Sequence, residues 1–435
     1  MRFRRATRPP HSKRTRSRPP GTPRRASRLW RPAGLAAGVT AVLAAVLLPA
    51  SQQPAQALDP VDVPSIGADT GRFNLPIACQ IRLGPLPIFT LNTDVDVQGV
   101  APVTLGPGQE FWLNQGSGSI TFPSWLTSLA PFAGIGAADA VVNDLSIGAR
   151  NASPEAINIA AEDPFEIDGI PIQAGQELTV GLPLEGTFEV GPFTAPDEGT
   201  VTFEFVRAQV DVTLHTFFGP LDITADCRAS QGNALLTVAV GGPAGQPPAY
   251  FQNEPLNFPE PASNEVDGII NAPYSCELED VITADVGIAV GGRFPLSIRR
   301  GETFSFTDAS GALTIPAETV NQMLDVGYET AAGTVSRLDL LVQGGTPRVD
   351  NVIDRPIEIP ETRLVRNQPI VVPLPADGTL TAGPYTPAPG TTNMIIGTGA
   401  AEAEFVFEGD GGTVEATGTC EEPEVPVYLV DVAIL

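Results

Sequence analysis

The sequence predicts an all-β protein: two homologous antiparallel β-sandwich domains, Ig-like or related, in tandem, each with one short helix and one disulfide. Three observations lead to this prediction. Short segments alternate between apolar and polar residues, most of the chain repeats itself once, and each repeat holds two cysteines. Glycine and proline, at 44 residues each, make the chain turn-rich but keep it within the range of folded proteins.

The alternating segments indicate strands with one face on a core and the other in water. Examples are 93–97 (Thr-Asp-Val-Asp-Val), 200–205 and 403–407. Successive side chains of a strand point to opposite faces, which gives this period of two. Such runs, separated by turns rich in Gly, Pro, Asn and Asp, are typical of an antiparallel sandwich or barrel.

An internal repeat organises the chain. Residues 117–123 (Ser-Gly-Ser-Ile-Thr-Phe-Pro) match 310–316 at an offset of 193, and 74–79 match 271–276 at an offset of 197. Because the match covers most of the chain, it indicates two copies of one domain.

The repeat also sets the expected boundaries. We expect the first β-sandwich domain at 58–242 and the second at 267–435. The segment 243–266 matches nothing in the repeat and is rich in proline, which predicts a semi-rigid linker.

A helical segment recurs after Pro123 and after Pro316. Apolar residues at 126 and 129, and at 320, 323 and 324, have helical spacing. Proline suits a helix start. The sequence therefore predicts one short helix in each domain, at an open end of the sandwich.

The four cysteines predict disulfides. An even number of cysteines in an exported chain indicates paired thiols, and four cysteines allow three pairings. The repeat selects Cys79–Cys227 and Cys276–Cys420, because homologous domains close themselves in the same way. A redox-active or metal-binding pair is the alternative, but the Cys-x-x-Cys spacing is missing.

Residues 1–57 have the composition of a signal peptide. Twelve basic residues and no acid precede an apolar run at 33–48, and Ala-Gln-Ala ends at Ala57. This order predicts export with cleavage after Ala57. The run is shorter than the ~17–25 residues that span a bilayer, which disfavours a retained anchor. The general secretory route is favoured, with the twin-arginine route as the alternative because of Arg24-Arg25.

The remaining chain is strongly acidic. Residues 58–435 hold 13 arginines, no lysine and 50 acids, for a net charge of −37. A field of this sign repels nucleic acid and anionic lipid. We expect the protein to be secreted, and either free or associated with the cell envelope. We expect no nucleic-acid partner and no transmembrane segment in the mature chain.

The residue inventory excludes several kinds of chemistry. Lys13 is the only lysine, and His11 and His215 are the only histidines, so Cys2His2 zinc sites, P-loop lysines and Schiff bases are ruled out. His215 has no counterpart in the second copy, where Glu408 takes its place. An ordinary strand residue is therefore favoured over a catalytic base.

Carboxylates are the remaining candidates for catalysis, because two acids alone can hydrolyse a glycosidic bond. Glu166 recurs as Glu358, and Glu185 recurs as Asp377. Turn and edge roles explain the recurrence better. We predict no catalytic residue and no cofactor.

Metal and sugar sites are weaker hypotheses. Asp94, Asp96 and Asp410 lie in acidic segments that suit calcium, but no EF-hand loop is present. The aromatic residues that could line a sugar or peptide site, but are better explained as core, are Trp112, Trp125, Phe193 and Tyr385. No metal site is predicted.

The recurring motifs resemble a known group. Gly-x-x-Phe, Ser-Gly-x-hydrophobic-Thr-hydrophobic-Pro, Leu-Pro-x-acid-Gly-Thr and Gly-Pro-aromatic-Thr, between a Pro-x-x-Cys start and a Cys end, are similar to the uncharacterised secreted repeat domains of actinobacteria. The resemblance covers 70–240 and 268–435. It implies an extracellular or envelope-associated β-rich domain, often in tandem, and carries no catalytic residues.

These observations predict a secreted or cell-envelope-associated tandem module with a binding, adhesive or structural role and no catalytic centre. Its expected partner is an envelope or extracellular ligand that the sequence does not identify. Two alternatives remain open: a secreted carboxylate-dependent hydrolase and a pore component of the envelope.

Overall fold

The computed structural model describes residues 57–242, 260–279 and 281–435, and these residues are nearly all β-strand. The all-β, antiparallel prediction is confirmed. Residues 1–56 of the expected signal peptide and 243–259 of the expected linker lie outside the described part of the chain. No helix in the described part has the length and apolar character needed to cross a bilayer.

The N-terminal half comprises β1 to β12 with two one-turn helices. Their bounds are β1 (Ala68–Leu83), β2 (Leu86–Pro102), β3 (Thr104–Leu105), β4 (Glu110–Phe122), α1 (Ser124–Thr127), α2 (Ala130–Ala133), β5 (Ala137–Arg150), β6 (Ala156–Asn158), β7 (Phe165–Pro171), β8 (Leu178–Leu182), β9 (Phe188–Thr194), β10 (Gly199–Thr216), β11 (Gly219–Ala229) and β12 (Ala234–Val240).

The C-terminal half comprises β13 to β25 with one longer helix. Their bounds are β13 (Glu265–Leu278), β14 (Ile282–Pro295), β15 (Ser297–Ile298), β16 (Phe304–Ile315), α3 (Ala317–Val326), β17 (Tyr328–Gln343), β18 (Gly345–Thr346), β19 (Val349–Asn351), β20 (Ile357–Arg363), β21 (Ile370–Leu374), β22 (Leu380–Pro387), β23 (Asn393–Gly409), β24 (Gly412–Cys420) and β25 (Tyr428–Ile434).

The two halves use the same strand order. Strands β5, β10, β11, β1, β2 and β4 lie side by side through antiparallel ladders, and β17, β23, β24, β13, β14 and β16 repeat this order. Each half also has one short parallel pair, β3 with β12 and β15 with β25. Hydrogen bonds connect all the strands into one open sheet.

The alternation read from the sequence appears as alternating burial. Along β1, Leu75, Ile77, Cys79 and Ile81 are buried while the residues between them are partly exposed. Their side chains enter a hydrophobic core that is continuous from the N-terminal half into the C-terminal half. Burial of this apolar surface is the main favourable contribution to folding.

The predicted helix forms as one element only in the C-terminal half. There α3 follows Pro316, buries Val320 and Met323, and ends at Gly327, whose φ is 105°. In the N-terminal half the segment breaks into α1 and α2. Pro131 explains the break, because a proline cannot continue a helix that begins before it.

Both predicted disulfides are present. Cys79 bonds Cys227, and Cys276 bonds Cys420. In each pair the two residues also lie directly opposite each other on neighbouring strands, with Cα atoms 3.9 Å and 4.1 Å apart. Each bridge therefore fastens the first long strand of its half, β1 or β13, to its neighbour in the sheet, β11 or β24. Paired thiols are compatible with an extracellular protein.

The halves are joined by a ladder between β1 and β13. Residues 69–74 pair antiparallel with 265–270. Inside this ladder Arg72 makes two hydrogen bonds to the carboxylate of Asp267, one of them from Nε to Oδ1 at 3.0 Å, and the Asp267 side chain is fully buried. A second contact links β12 to β25, where the Thr237 hydroxyl donates to Asp431 Oδ2 at 2.9 Å. The two halves thus share a sheet as well as a core.

Candidate binding surface

The recurring carboxylates do not come together. Glu166 and Glu358 lie exposed on β7 and β20, in different halves, and Glu185 and Asp377 lie exposed in turns. Within the described residues, neither recurring pair forms a cluster with the other acids that the sequence singles out. The two sets occupy equivalent places in their own halves, as the repeat requires.

His215 lies at the end of β10 and contacts one acid. Its Nε2 is 2.8 Å from Asp139 Oδ2 on the neighbouring β5; the His215 side chain is exposed and that of Asp139 is partly exposed. The Gly169 N–H donates to the same carboxylate at 2.8 Å. This backbone hydrogen bond, together with the one from His215, lowers the pKa of Asp139.

The acidic segments proposed for calcium have other contacts. Asp96 accepts a hydrogen bond from Asn74 at 2.8 Å, and burial raises the pKa of its carboxyl. Asp94 accepts one from Ser263 at 2.6 Å. Among the described residues, no group of three or more His, Cys, Asp or Glu side chains is placed to hold a metal ion.

Two of the four aromatic candidates are core residues. Phe193 and Tyr385 are completely buried at equivalent positions. The Tyr385 hydroxyl donates to Asp350 Oδ2 at 2.7 Å, and burial together with this contact raises its pKa. Trp112 packs against Gly191. Trp125, by contrast, is 53% exposed, which composition alone did not predict.

Internal cavities in the described part of the chain are small. One apolar cavity in each half has a volume of about 60 Å³, and another, lined by residues of both halves, has a volume of about 20 Å³. Typical ligand sites are roughly 300–1,000 Å³. The cavity of the N-terminal half is lined by Phe73, Leu113 and Phe203, and by Asp69, whose burial raises the pKa of its carboxyl well above the usual value. The surface is therefore the better place to look for a binding site.

The surface has one concentration of exposed apolar side chains, at one end of the N-terminal half. Three segments form it: the β1–β2 turn (83–91), the α1–α2 segment (124–136) and the β10–β11 turn (216–221). We call this surface the apolar end. It holds ten of the eighteen large apolar side chains that are exposed among the described residues. These ten are Leu83, Leu86, Ile88, Phe89, Trp125, Leu129, Phe132, Phe217, Phe218 and Leu221.

Strand register brings the three segments together. Arg82 near the end of β1 is opposite Thr224 of β11, so the turns after β1 and before β11 lie at the same end of the sheet. Ala137, where the chain leaves the α1–α2 segment, is opposite His215 at the base of the β10–β11 turn. The ring of Phe217 packs against the backbone of Gly134.

The β10–β11 turn places two phenylalanines at its tip. Phe217 is 81% exposed and Phe218 is 96% exposed. Gly219 takes the positive φ of the turn, 113°, so the turn itself does not require phenylalanine at either central position. The Thr216 hydroxyl accepts from the Phe218 N–H and donates to the Gly219 carbonyl, which stabilises the turn.

The α1–α2 segment is held by polar contacts at its base. The Thr127 hydroxyl donates to the Gln176 carbonyl at 2.6 Å and lies 3.0 Å from the Ser124 carbonyl oxygen. Thr127 is buried, whereas Phe132 is 89% exposed. The segment therefore keeps its position while presenting its large apolar side chains to solvent.

The equivalent end of the C-terminal half is acidic. Four exposed acids, Glu277, Glu279, Glu408 and Asp410, lie in and beside its two turns. The equivalent residues of the N-terminal half are Gln80, Arg82, His215 and Phe217. We call this surface the acidic end. The turn between β23 and β24 has Asp410-Gly411 where the N-terminal half has two phenylalanines, with the same positive φ at the following glycine.

The apolar end and the acidic end point in opposite directions. The ladder between β1 and β13 is antiparallel, and each strand continues from it to its own turn, β1 to Leu83 and β13 to Leu278. The molecule therefore has an apolar and an acidic end on opposite sides of the joint.

Sequence reasoning did not identify the apolar end, although two signals were available. The repeat offset falls from 197 to 193 across the first hairpin. Cys79 pairs with Leu91, twelve residues later, whereas Cys276 pairs with Ala284, only eight residues later. The first hairpin is thus four residues longer in the N-terminal half, because its two strands extend further before they turn. The second signal is the replacement of Asp-Gly, which favours turns, by two phenylalanines.

Comparison with known proteins gives one family. The model of a family of unknown function (DUF6801) matches residues 273–422, in the C-terminal half. No curated protein matches the chain. The chain is also similar to a solved structure titled "pT26-6p", at 10% identity and a TM-score of 0.21, covering 84% of this chain and 66% of that one. The apolar end lies outside the residues that the family model matches.

Proposed function

We propose that the protein is a secreted or cell-envelope-associated binding module, and that the apolar end is its contact surface. The observation that carries this proposal is the clustering of ten exposed apolar side chains at one end of a strongly acidic chain. Contiguous exposed apolar surface is costly in water and marks a site of interaction when it persists in a folded protein.

Export is part of the proposal. The basic, apolar and Ala-x-Ala order of residues 1–57 supports it, and so do two disulfides, which persist in oxidising compartments. The same strand order in both halves supports tandem copies of one domain, of the kind found in secreted actinobacterial proteins. The ligand is then a component of the envelope or of the extracellular medium.

A binding assay tests the contact surface. The protein is recovered from the medium of cells that express the full chain and mixed with the envelope fraction of the same cells. We expect it to sediment with that fraction, and we expect Phe217→Ser/Phe218→Ser to lower the bound fraction about tenfold. The matched control is Val326→Ser/Val414→Ser, which removes two exposed apolar side chains from the C-terminal half. Equal binding of both variants and the unchanged protein would refute the proposal.

Mass spectrometry of the secreted protein tests export. We expect an N terminus at Leu58, and peptides linking Cys79 to Cys227 after digestion without reductant. Recovery of the chain only from the cytosol, with residues 1–57 intact, would contradict this part of the proposal.

A further inference from the structure

We propose that the apolar end enters the headgroup region of a lipid layer whose lipids are zwitterionic or uncharged. This inference rests on the proposed function and names the chemistry of the partner. It follows from four properties of the apolar end: its shape, its side chains, its satisfied backbone and the distribution of charge around it.

The apolar end is a set of protrusions without a groove. Phe132 and Phe218 are about nine-tenths exposed, on separate segments. A protein partner would need a matching concave surface, packed as densely as a protein interior, to cover such tips. A fluid lipid layer adapts to them without a preformed shape.

The side chains are those that favour the interface of a bilayer. The transfer of aliphatic side chains out of water is favourable in free energy, and aromatic rings lie at the level of the headgroups. Trp125 supplies both an apolar ring and an N–H donor, a combination enriched at membrane interfaces. Leu86 and Ile88 add aliphatic surface on the neighbouring turn.

Backbone groups in the apolar end are largely satisfied, which a lipid environment demands. Within α1 and α2, the N–H groups of Ser128, Leu129 and Phe132 donate to carbonyls of the same segment. At the β10–β11 turn, Phe218 N–H is hydrogen-bonded to Thr216. Four further positions are prolines, which have no N–H: Pro85, Pro87, Pro131 and Pro220.

Charge limits the depth of entry. The segments 83–91, 124–136 and 216–221 contain no charged residue. The first ionisable side chain behind the β10–β11 tip is His215, two residues below Phe217, or roughly 7 Å along a strand, and it contacts the Asp139 carboxylate. Interfacial segments enter the headgroup boundary by about 5–10 Å. The uncharged length of the exposed tips thus agrees with the depth to which interfacial segments enter.

Charge also selects the lipid and the orientation. Residues 58–435 have a net charge of −37, so anionic lipid repels the secreted chain. The acidic end points in the opposite direction to the apolar end, so a molecule that inserts the apolar end keeps the acidic end in water. A second copy of the chain is a less suitable occupant, because two such molecules repel each other as well.

The test uses the protein recovered from the medium and vesicles of phosphatidylcholine. Its background variant is Trp112→Phe, so that Trp125 reports from the apolar end of the secreted chain. We expect co-sedimentation with the vesicles, a blue shift of the Trp125 emission and quenching by brominated lipid. We expect Phe217→Ser/Phe218→Ser to lower the partition coefficient about tenfold and Val326→Ser/Val414→Ser to leave it unchanged. Adding phosphatidylglycerol should weaken binding at low salt, with recovery in high salt.

The outcomes separate the two proposals. Binding to the envelope fraction without binding to phosphatidylcholine vesicles would overturn the lipid inference and leave the proposed function standing. A concentration-dependent dimer, abolished by Phe217→Ser/Phe218→Ser, would also overturn it and assign the apolar end to a second copy. If the unchanged protein binds neither the envelope fraction nor the vesicles, the proposed function itself is refuted.

Discussion

Gly71 and Gly268 lie opposite each other in the ladder between β1 and β13. They are also equivalent positions of the two halves, since the offset between them is the 197 residues that relates 74–79 to 271–276. The joint therefore has a local two-fold axis beside these glycines, as in an isologous dimer. This relationship explains why equivalent ends of the two halves point in opposite directions.

Substitution of these glycines should have unequal effects. A Cβ on Gly268 would lie 2.7 Å from the Thr70 carbonyl oxygen and 3.1 Å from the Gly71 Cα, which are backbone atoms that cannot move aside. We expect Gly268→Ala to lower the free energy of unfolding by about 2 kcal/mol, within the range for overpacking. A Cβ on Gly71 would come within 3.0 Å of the Phe73 ring but no closer than 3.6 Å to a backbone atom, the Asp267 carbonyl oxygen, so Gly71→Ala should cost less.

Urea denaturation without reductant measures both changes. Gly411→Ala is the control, because nothing lies within 4 Å of its added Cβ. Equal destabilisation by Gly71→Ala and Gly268→Ala would show that the close backbone contact is not the cause.

The Arg72–Asp267 ion pair should be essential to the joint. Arg72→Leu leaves the fully buried Asp267 carboxylate without its guanidinium partner. Removing one partner of a buried pair costs about 3–5 kcal/mol. We expect a loss of this size in the free energy of unfolding, measured by urea denaturation. The double variant Arg72→Leu/Asp267→Asn should recover more than half of it, because the unpaired charge is gone. No recovery would mean that the pair is not the source of the loss.

Asp69 should make stability depend on pH. Burial raises the pKa of its carboxyl well above the usual 3.8, so the folded state keeps a proton that the unfolded state loses. The free energy of unfolding therefore falls as pH rises from about 4 through the folded pKa. Asp69→Asn removes this dependence. We expect the variant to match the wild type near pH 3 and to be more stable at pH 7, in thermal melts followed by circular dichroism.

The equivalent residue in the C-terminal half, Val266, supplies a second variant. Asp69→Val should also be more stable than the wild type at pH 7. A wild type that is more stable than both variants at pH 7 would contradict the assignment of a costly buried carboxyl.

The two disulfides should contribute about equally. They close loops with sequence separations of 148 and 144 residues. In the chain-entropy model, loops of this length are worth about 5 kcal/mol, and measured losses are typically about 2–5 kcal/mol. We expect Cys79→Ala/Cys227→Ala and Cys276→Ala/Cys420→Ala to lower the free energy of unfolding by similar amounts in that range. A much smaller loss for one pair would show that loop entropy does not govern its contribution.

Local and repeated features of the fold were predictable. Alternation along β1 and β10 reports directly which face is buried, and the repeat restricts the pairing of Cys79 and Cys276. The break between α1 and α2 was also visible in principle, since Pro131 interrupts the helical spacing. These features depend on neighbouring residues or on a comparison of the chain with itself.

Features that depend on register were not predictable. Arg72 and Asp267 are 195 residues apart, and only the β1–β13 ladder makes them partners. The apolar end combines segments around Leu86, Phe132 and Phe217, each of which resembles an ordinary core segment or turn on its own. Trp125 shows the difficulty most clearly, because composition favours a core position and the structure leaves it half exposed.

The shared ladder, the ion pair within it and the common core have a consequence for proteolysis. A protease that cuts the chain between Gly242 and Glu260 breaks one peptide bond but none of the contacts that join β1 to β13 or β12 to β25. The two fragments should then travel as one species in gel filtration and separate only in denaturant. We expect a nicked molecule to retain the envelope binding that we propose for the uncut one.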